Sequence, residues 1–404
     1  MSKKNIAVGI DIGTYKVKVV IAKIDSDSGS RSPTILGVGY AESKGLRHGY
    51  ITHQTDAIRS IRKAVRQAEI SSKIKISKAF ISIGGVGLSS FTTQGQITIT
   101  RADSEITAMD VEKAIEESTD QVPSSVSLNK KNIHTIPVSY KIDGKTVLGN
   151  PVGLKGTRLE VRTLFIMCLE HHLQELIQAV EDAGIEVIDI MAAPLAASLV
   201  TLSKPEKIQG CVLANIGSET VSIIVYENDT PTSLEIFPIG SNDITNDIAL
   251  GLQVSLDEAE NIKKDVESGK THPKKKLDEI ISARLSDIFE LVEAHLKKIN
   301  KSGLLPGGII ITGGGSGITT IEDLAKAYLK LPTKVSKLAC DDTKMECSDS
   351  EKIKVKDSTW SVAYGLCVFG LHSDSPGTIS LGHGKRFIKA SRVKVLSWFK
   401  QFLP

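Results

Sequence analysis

An internal duplication constrains this chain more than any other feature. Residues 6–22, Ile-Ala-Val-Gly-Ile-Asp-Ile-Gly-Thr-Tyr-Lys-Val-Lys-Val-Val-Ile-Ala, and residues 211–226, Cys-Val-Leu-Ala-Asn-Ile-Gly-Ser-Glu-Thr-Val-Ser-Ile-Ile-Val-Tyr, both read as strand, Asp/Asn-Ile-Gly turn, strand. A hairpin repeated roughly 200 residues further on calls for two related lobes, and 404 residues exceed what one hydrophobic core usually serves. The 41% hydrophobic share is enough to fill both. No apolar run approaches the ~18 residues that cross a bilayer. The N-terminus passes from Met1-Ser2-Lys3-Lys4 straight into a strand, so neither a spanning helix nor a signal peptide is expected. Five cysteines (Cys168, Cys211, Cys340, Cys347, Cys367) without a Cys-x-x-Cys pair suit reduced thiols that fill space.

Around the two hairpins, apolar β-branched runs at 79–84, 161–169 and 308–313 predict further strands. Helical spacing predicts helices over 54–69, 108–118, 171–183, 241–252, 257–267 and 277–299. Strands separated by helices point to an α/β fold whose sheet is at least partly parallel and covered on both faces. Residues 372–384, rich in Gly, Ser and Pro without periodicity, read as a flexible linker.

The glycines of the repeat carry its chemistry. Gly13 and Gly217 let the backbone turn tightly, so the amides of Thr14, Tyr15 and Lys16, or of Ser218, Glu219 and Thr220, can face phosphate oxygens. Asp11, at a strand end, can hold a hydrated Mg2+, an ion that keeps its waters and takes few carboxylates. A third cluster, Gly313-Gly314-Gly315-Ser316, follows the strand at 308–313 and lets a flat ring or sugar lie against the backbone.

Charge separates the end of the chain from the rest. Residues 385–404 hold six basic side chains and no acidic one, which leaves 44 basic against 47 acidic elsewhere. A slightly acidic body weighs against nucleic acid as the main partner, since phosphate backbones want a basic face on the folded domain. On a helical wheel Val395, Leu396, Trp398, Phe399, Phe402 and Leu403 fall within one arc of about 160°, with Lys394 and Lys400 opposite. Four of the 18 aromatics lie in these twenty residues, which predicts a helix lying in the headgroup plane of an anionic membrane surface.

The two phosphate hairpins and the glycine-rich loop together resemble the actin-like ATPase superfamily, in which three such segments converge on a cleft between two lobes. Ala259-Glu260-Asn261-Ile262-Lys263 is similar to the helix that contacts ribose and adenine in several members, and Glu260 and Lys263 would share a face. Ser361-Val362-Ala363-Tyr364-Gly365-Leu366 is similar to the closing helix that returns to the first lobe. Within the superfamily the chain resembles the FtsA family of bacterial cell-division proteins, in the Gly9–Lys16 loop, in the segment from Ile81 to Ile166, and in the helix around Leu277–Leu285.

The resemblance implies a two-lobed actin-like fold that binds ATP or ADP with Mg2+, self-associates into filaments, and tethers FtsZ to the membrane. It places the first lobe at 1–79, continued by 166–205 and 361–371, with an inserted α+β subdomain at 80–165. The second lobe is 206–360, with a peptide-binding subdomain at 246–306 that receives the FtsZ C-terminal peptide at Lys276, Ile280, Ile281, Arg284 and Leu285; 385–404 is the membrane helix. A pilus-assembly relative of the PilM kind shares the fold and pocket, and a kinase or chaperone ATPase is the enzymatic alternative. Departures from the family pattern weigh against fast hydrolysis. Asn215, Ser218, Glu219 and Ser222 stand where the second loop usually has carboxylates and glycines, and Ala193 precedes Pro194 where active chaperone relatives carry a carboxylate. Glu219 would repel a terminal phosphate unless it turns outward or meets the metal.

Overall fold

A computed structural model describes residues 6–24, 33–267, 275–336, 338 and 357–372. The linker beyond residue 372 and the segment expected to form the membrane helix, with Lys394, Val395, Leu396, Trp398, Phe399, Lys400, Phe402 and Leu403, lie outside the described residues.

The duplication extends from the hairpin to a whole sheet. In the first lobe the strand order is Glu186–Ala192, Lys78–Ile83, Ile6–Ile12, Lys16–Lys23, Thr34–Glu42. The last three form an antiparallel meander and the first three run parallel. The second lobe repeats this in mirror listing: Thr230–Phe237, Val221–Glu227, Cys211–Ile216 as the meander, then Gly308–Thr312 and Thr333–Val335 in parallel. The parallel pairs are joined through helices, as parallel pairing requires. In the first lobe helix Gln54–Ser72 links the meander to Lys78–Ile83, and in the second lobe helices Ser241–Leu252, Leu256–Glu267 and Lys275–Lys298 precede Gly308–Thr312. Two apolar helices, Ala193–Thr201 and Ser361–His372, pack together against the first sheet and connect the lobes. Both are buried on nearly every face, which explains their lack of an amphipathic pattern.

Between Lys78–Ile83 and helix Glu170–Asp182 the chain builds a separate four-stranded antiparallel sheet, ordered Leu88–Thr98, Arg158–Leu169, Lys130–Ile142, Lys145–Val147. Helix Ala108–Asp120 covers it and opens on a capping box in which Thr107 and Asp110 satisfy each other's backbone N–H. Strand Arg158–Leu169 begins in the insert's own small core, at Leu159 and Val161, and ends in the main core at Leu164, Ile166 and Cys168. The insert also leans on the second lobe. The Ser90 hydroxyl donates to the Leu234 carbonyl (2.7 Å) and accepts from the Leu234 N–H (3.0 Å), at the middle of the second sheet's edge strand. Among the described cysteines, Cys168, Cys211 and Cys367 are buried, and burial pushes each thiol up to about 12, so all three are unreactive packing groups at neutral pH.

Candidate functional site

The repeated hairpins close in the same register. Ile12 faces Val17 around Gly13–Lys16, and Ile216 faces Val221 around Gly217–Thr220. In the second turn the Gly217 N–H donates to Thr220 O over 2.8 Å. Both turns open on a cleft of roughly 450 Å³ between the lobes, lined by Asp11, Gly13, Thr14, Tyr15 and Lys16 from one side and by Gly217, Ser218, Thr220, Glu260, Lys263, Gly313 and Gly314 from the other. The sequence-predicted residues therefore meet in one place, with three exceptions. Gly315 is buried against Ile216 and Ser241, and Ser316 bonds back to Gly313 O over 2.7 Å, so both shape the loop from behind. Glu219 is absent from the cleft lining; its carboxylate turns outward and accepts from the His48 N–H at 2.5 Å. The repulsion expected inside the cleft is thereby moved to its rim.

At the glycine-rich loop, Gly313 takes φ 94°, and a Cβ there would lie 2.3 Å from Asn215 Oδ1 and 2.5 Å from Ile216 O. Only glycine fits. A Cβ on Gly314, by contrast, would meet nothing within 4 Å, so this residue faces open space at the cleft. Opposite, Lys263 is 3% exposed and its Nζ lies 2.7 Å from Glu260 Oε2, 2.8 Å from Thr245 Oγ1 and 3.2 Å from Ser241 O. Burial alone would raise the Glu260 carboxyl, but hydrogen bonds from Lys263 and Thr245, with the lysine charges, outweigh it and hold it ionised. The pair is thus fixed before any ligand arrives.

At the other end of the cleft, Ser82 donates to Asp11 Oδ1 over 2.9 Å. Burial raises the Asp11 carboxyl, and Lys18 and the Ser82 bond oppose that rise. Lys18 stands directly across from Asp11 in the strand pairing and donates to Thr359 O at 2.5 Å; burial lowers its ammonium, while Asp11 and Asp357 pull the other way. Lys16 is held over the rings of Tyr15 and Tyr40, at 4.9 and 5.5 Å. Lys18, Tyr40, Ser82, Asp357 and Thr359 all line the cleft and were not singled out in the sequence. For Lys18 a signal existed: it alternates with buried Val17 and Val19 on the same strand face as Lys16. A metal at Asp11 is tested by its donors. One carboxylate with an oxygen, Oδ2, left beside Gly13 is what Mg2+ uses when it keeps most of its waters. Among the described residues no cluster of three or more acidic, His or Cys side chains would suit a more demanding ion. Asn215, Ser222 and Ala193 present neutral groups to the cleft.

The proposed peptide residues divide. Ile281 and Leu285 are buried in the core of the second lobe, 1% and 0% exposed, beside Ile288, Phe289 and Val292. They cannot meet a partner, because their stripe on helix Lys275–Lys298 is the one the lobe packs on. Arg284 is occupied by Asp247, to which it donates from Nε and Nη2 at 2.6 and 3.0 Å. Lys276 is exposed and Ile280 half-buried against Gly251. Close to Gly251 and the turn at Gln253, Leu250 and Leu256 are 79% and 59% exposed, an apolar corner that the sequence pattern did not mark.

Known proteins place these features in one family. A relative from Bacillus subtilis described as Cell division protein FtsA is 32% identical over 357 residues, covering 83% of this chain and 79% of its own. The chain belongs to the FtsA family. A second FtsA relative, from Buchnera aphidicola of Acyrthosiphon pisum, is 28% identical over 431 residues and covers 98% of both chains. Family models described as Cell division protein FtsA and as the SHS2 domain inserted in FTSA match residues 212–365 and 85–167. Among solved structures, the PilM-PilN type IV pilus biogenesis complex aligns with TM-score 0.65 at 16% identity, covering 90% of this chain and 98% of that one. MreB5 of Spiroplasma citri bound to ADP aligns at 0.52 with 13% identity, covering 91% and 97%. At such identities the likeness is one of fold, so the PilM resemblance supports the two-lobed actin-like architecture of an FtsA-family chain with its insert. No helix among the described residues is long and apolar enough to cross a membrane.

Proposed function

We propose that this chain is a cell-division anchor that binds ATP or ADP in its interlobe cleft, self-associates, and ties FtsZ to the inner face of the cytoplasmic membrane at the division site. The observation that carries the nucleotide reading is the pairing of two hairpin turns in one register across one cleft, with the glycine-rich loop at its far end. Turn amides suit the phosphates, Glu260 and Lys263 the ribose and base, and the glycine-rich loop the flat face of the nucleoside. Asp11 would hold Mg2+, which when bound supplies positive charge to the phosphates. Asp11 itself is oriented by Ser82. Because these groups come from both lobes, nucleotide favours one lobe arrangement, which suits head-to-tail assembly of copies. The bound state of MreB5, with ADP, is consistent with this use of the fold.

The partner peptide, acidic and partly apolar, is met by the corner of Leu250, Leu256 and Ile280, with Lys276 as its nearby cation. The basic amphipathic tail provides the membrane contact; one such helix binds reversibly, and assembly multiplies it by avidity. The deciding experiment is calorimetry of the full chain with an FtsZ C-terminal peptide, alongside Leu250→Asp. Binding that the substitution weakens by about tenfold or more supports the anchor and the site; no binding by the wild type overturns it, and a PilM-like role would then stand.

A further inference from the structure

Within the turn Gly217–Thr220, Glu219 alone stays out of the cleft wall. Its carboxylate reaches the loop at 45–51 of the first lobe. There the His48 N–H donates to Oε2 at 2.5 Å, and His48 Nδ1 lies 3.1 Å from the Glu219 carbonyl oxygen. One residue further, the Gly49 N–H donates to Thr14 Oγ1 of the first hairpin at 3.1 Å. Two consecutive residues therefore hold both phosphate turns, one in each lobe. The loop has little freedom of its own. His48 and Gly49 sit at φ 49° and 86°, and the Val86 N–H donates to His48 O at 3.2 Å. A Cβ on Gly49 would fall 2.4 Å from Gly85 Cα, so the loop is pressed onto the cleft wall itself.

A terminal phosphate bound between the turns would stand one residue from Glu219. Its carboxylate is met by a neutral backbone N–H, and among the described residues it forms no ion pair with a lysine or arginine. Like charges on one turn repel more strongly where the surroundings are partly desolvated, as they are around Glu219. A diphosphate, ending one phosphate earlier, is spared most of this. Resting on the nucleotide reading of the cleft, we propose that Glu219 is the residue by which this site distinguishes nucleoside triphosphates from diphosphates. The Glu219–His48 contact across the lobes persists over an empty or diphosphate-loaded cleft and is released by a terminal phosphate. The cleft thus reports the phosphorylation state of its nucleotide at an edge where a carboxylate of one lobe meets a fixed loop of the other.

The test is calorimetry of the full chain with ADP and with a non-hydrolysable ATP analogue, for the wild type and for Glu219→Gln. The amide keeps an acceptor oxygen for the His48 N–H and removes the charge. The analogue should gain about fivefold or more in affinity while ADP stays within about twofold. Amide hydrogen exchange over residues 45–51 gives a second reading: faster with the analogue than with ADP in the wild type, equal in Glu219→Gln. An analogue-to-ADP affinity ratio unmoved by the substitution, or exchange that ignores the nucleotide, overturns this inference and leaves the nucleotide site standing. Failure of both proteins to bind either nucleotide overturns the nucleotide reading and the inference together.

Discussion

Gly313 and Gly314 are neighbours with opposite demands, and substituting each separates a packing requirement from a binding one. At Gly313 an alanine would have to hold φ 94° and ψ 175°, a conformation essentially confined to glycine and costing about 1–3 kcal/mol, while its Cβ pressed on Asn215 Oδ1, Ile216 O and Ile216 N at 2.3, 2.5 and 2.9 Å. Two of those three are backbone atoms of the second phosphate strand and cannot rotate away, so overpacking adds about 1–3 kcal/mol. A loss of about 3 kcal/mol is expected for Gly313→Ala, or roughly 6–12 °C in melting temperature for a lobe of this size. Gly314→Ala meets nothing within 4 Å and lies outside the left-handed region, so it should leave stability within about 1 kcal/mol. Gly314→Trp should fold equally well and fill the cleft, lowering ADP affinity by about tenfold or more. Scanning calorimetry and titration calorimetry measure the two effects. Equal melting of Gly313→Ala and Gly314→Ala would refute the close approach, and wild-type nucleotide affinity in Gly314→Trp would refute the cleft as a nucleotide site.

Three other outcomes are expected. His134 is 4% exposed, accepts from the Ala192 N–H at 3.0 Å, and is pushed by burial to about 4 from its ordinary 6.5. The unfolded chain binds more protons between those values, so stability falls as pH drops below about 6.5, by about 2 kcal/mol at pH 5; His134→Gln should flatten this slope in urea titrations, and an unchanged slope would refute it. Turnover without a partner should be slow, since Ala193, Asn215 and Ser222 put no carboxylate by the phosphates, and Asn215→Asp should raise it in a phosphate-release assay; a fast wild-type rate would refute this. On anionic liposomes the full chain should sediment, less so with rising salt, whereas a chain ending at Gly384 and the pair Trp398→Glu with Phe402→Glu should not; equal sedimentation of all three would refute the tail anchor.

Much of the fold was legible because its strongest signals are local. The turn glycines and the β-branched runs beside them mark both hairpins, and helices such as Ser241–Leu252 have an amphipathic period that outweighs other influences. The strands Thr34–Glu42, Leu88–Thr98, Lys130–Ile142 and Thr230–Phe237 were not, since glycines and hydroxyl side chains interrupt their alternation, and in Glu186–Ala192 two acidic residues break a short apolar run. Thr230, Thr232 and Ser233 are buried by the tertiary fold, whose partners no window of sequence contains. The cleft residues on turns were readable for the same local reason. Lys18 carried a weaker signal, the strand face it shares with Lys16, because a strand lysine is ordinarily solvated and its pairing opposite Asp11 is what turns it to the cleft. The peptide face misled because an apolar helical stripe carries no mark of whether it meets its own core or a partner. Ile281 and Leu285 continue the stripe of Leu277, Ile288 and Val292 into the lobe.

The contact of Ser90 with Leu234 also bears on how the edge of the second sheet is kept covered. Thr230–Phe237 is the outer strand of its sheet, and an outer strand with unpaired amides is a template for any other extended chain. Here most of that strand is buried, and one serine hydroxyl answers both the N–H and the carbonyl at its midpoint. Whatever else residues 85–167 do, they serve as the stopper on an adhesive rim. A chain shortened by that segment would not be a smaller working molecule but one with an open seam of threonines and Leu234, ready to recruit strands from its neighbours.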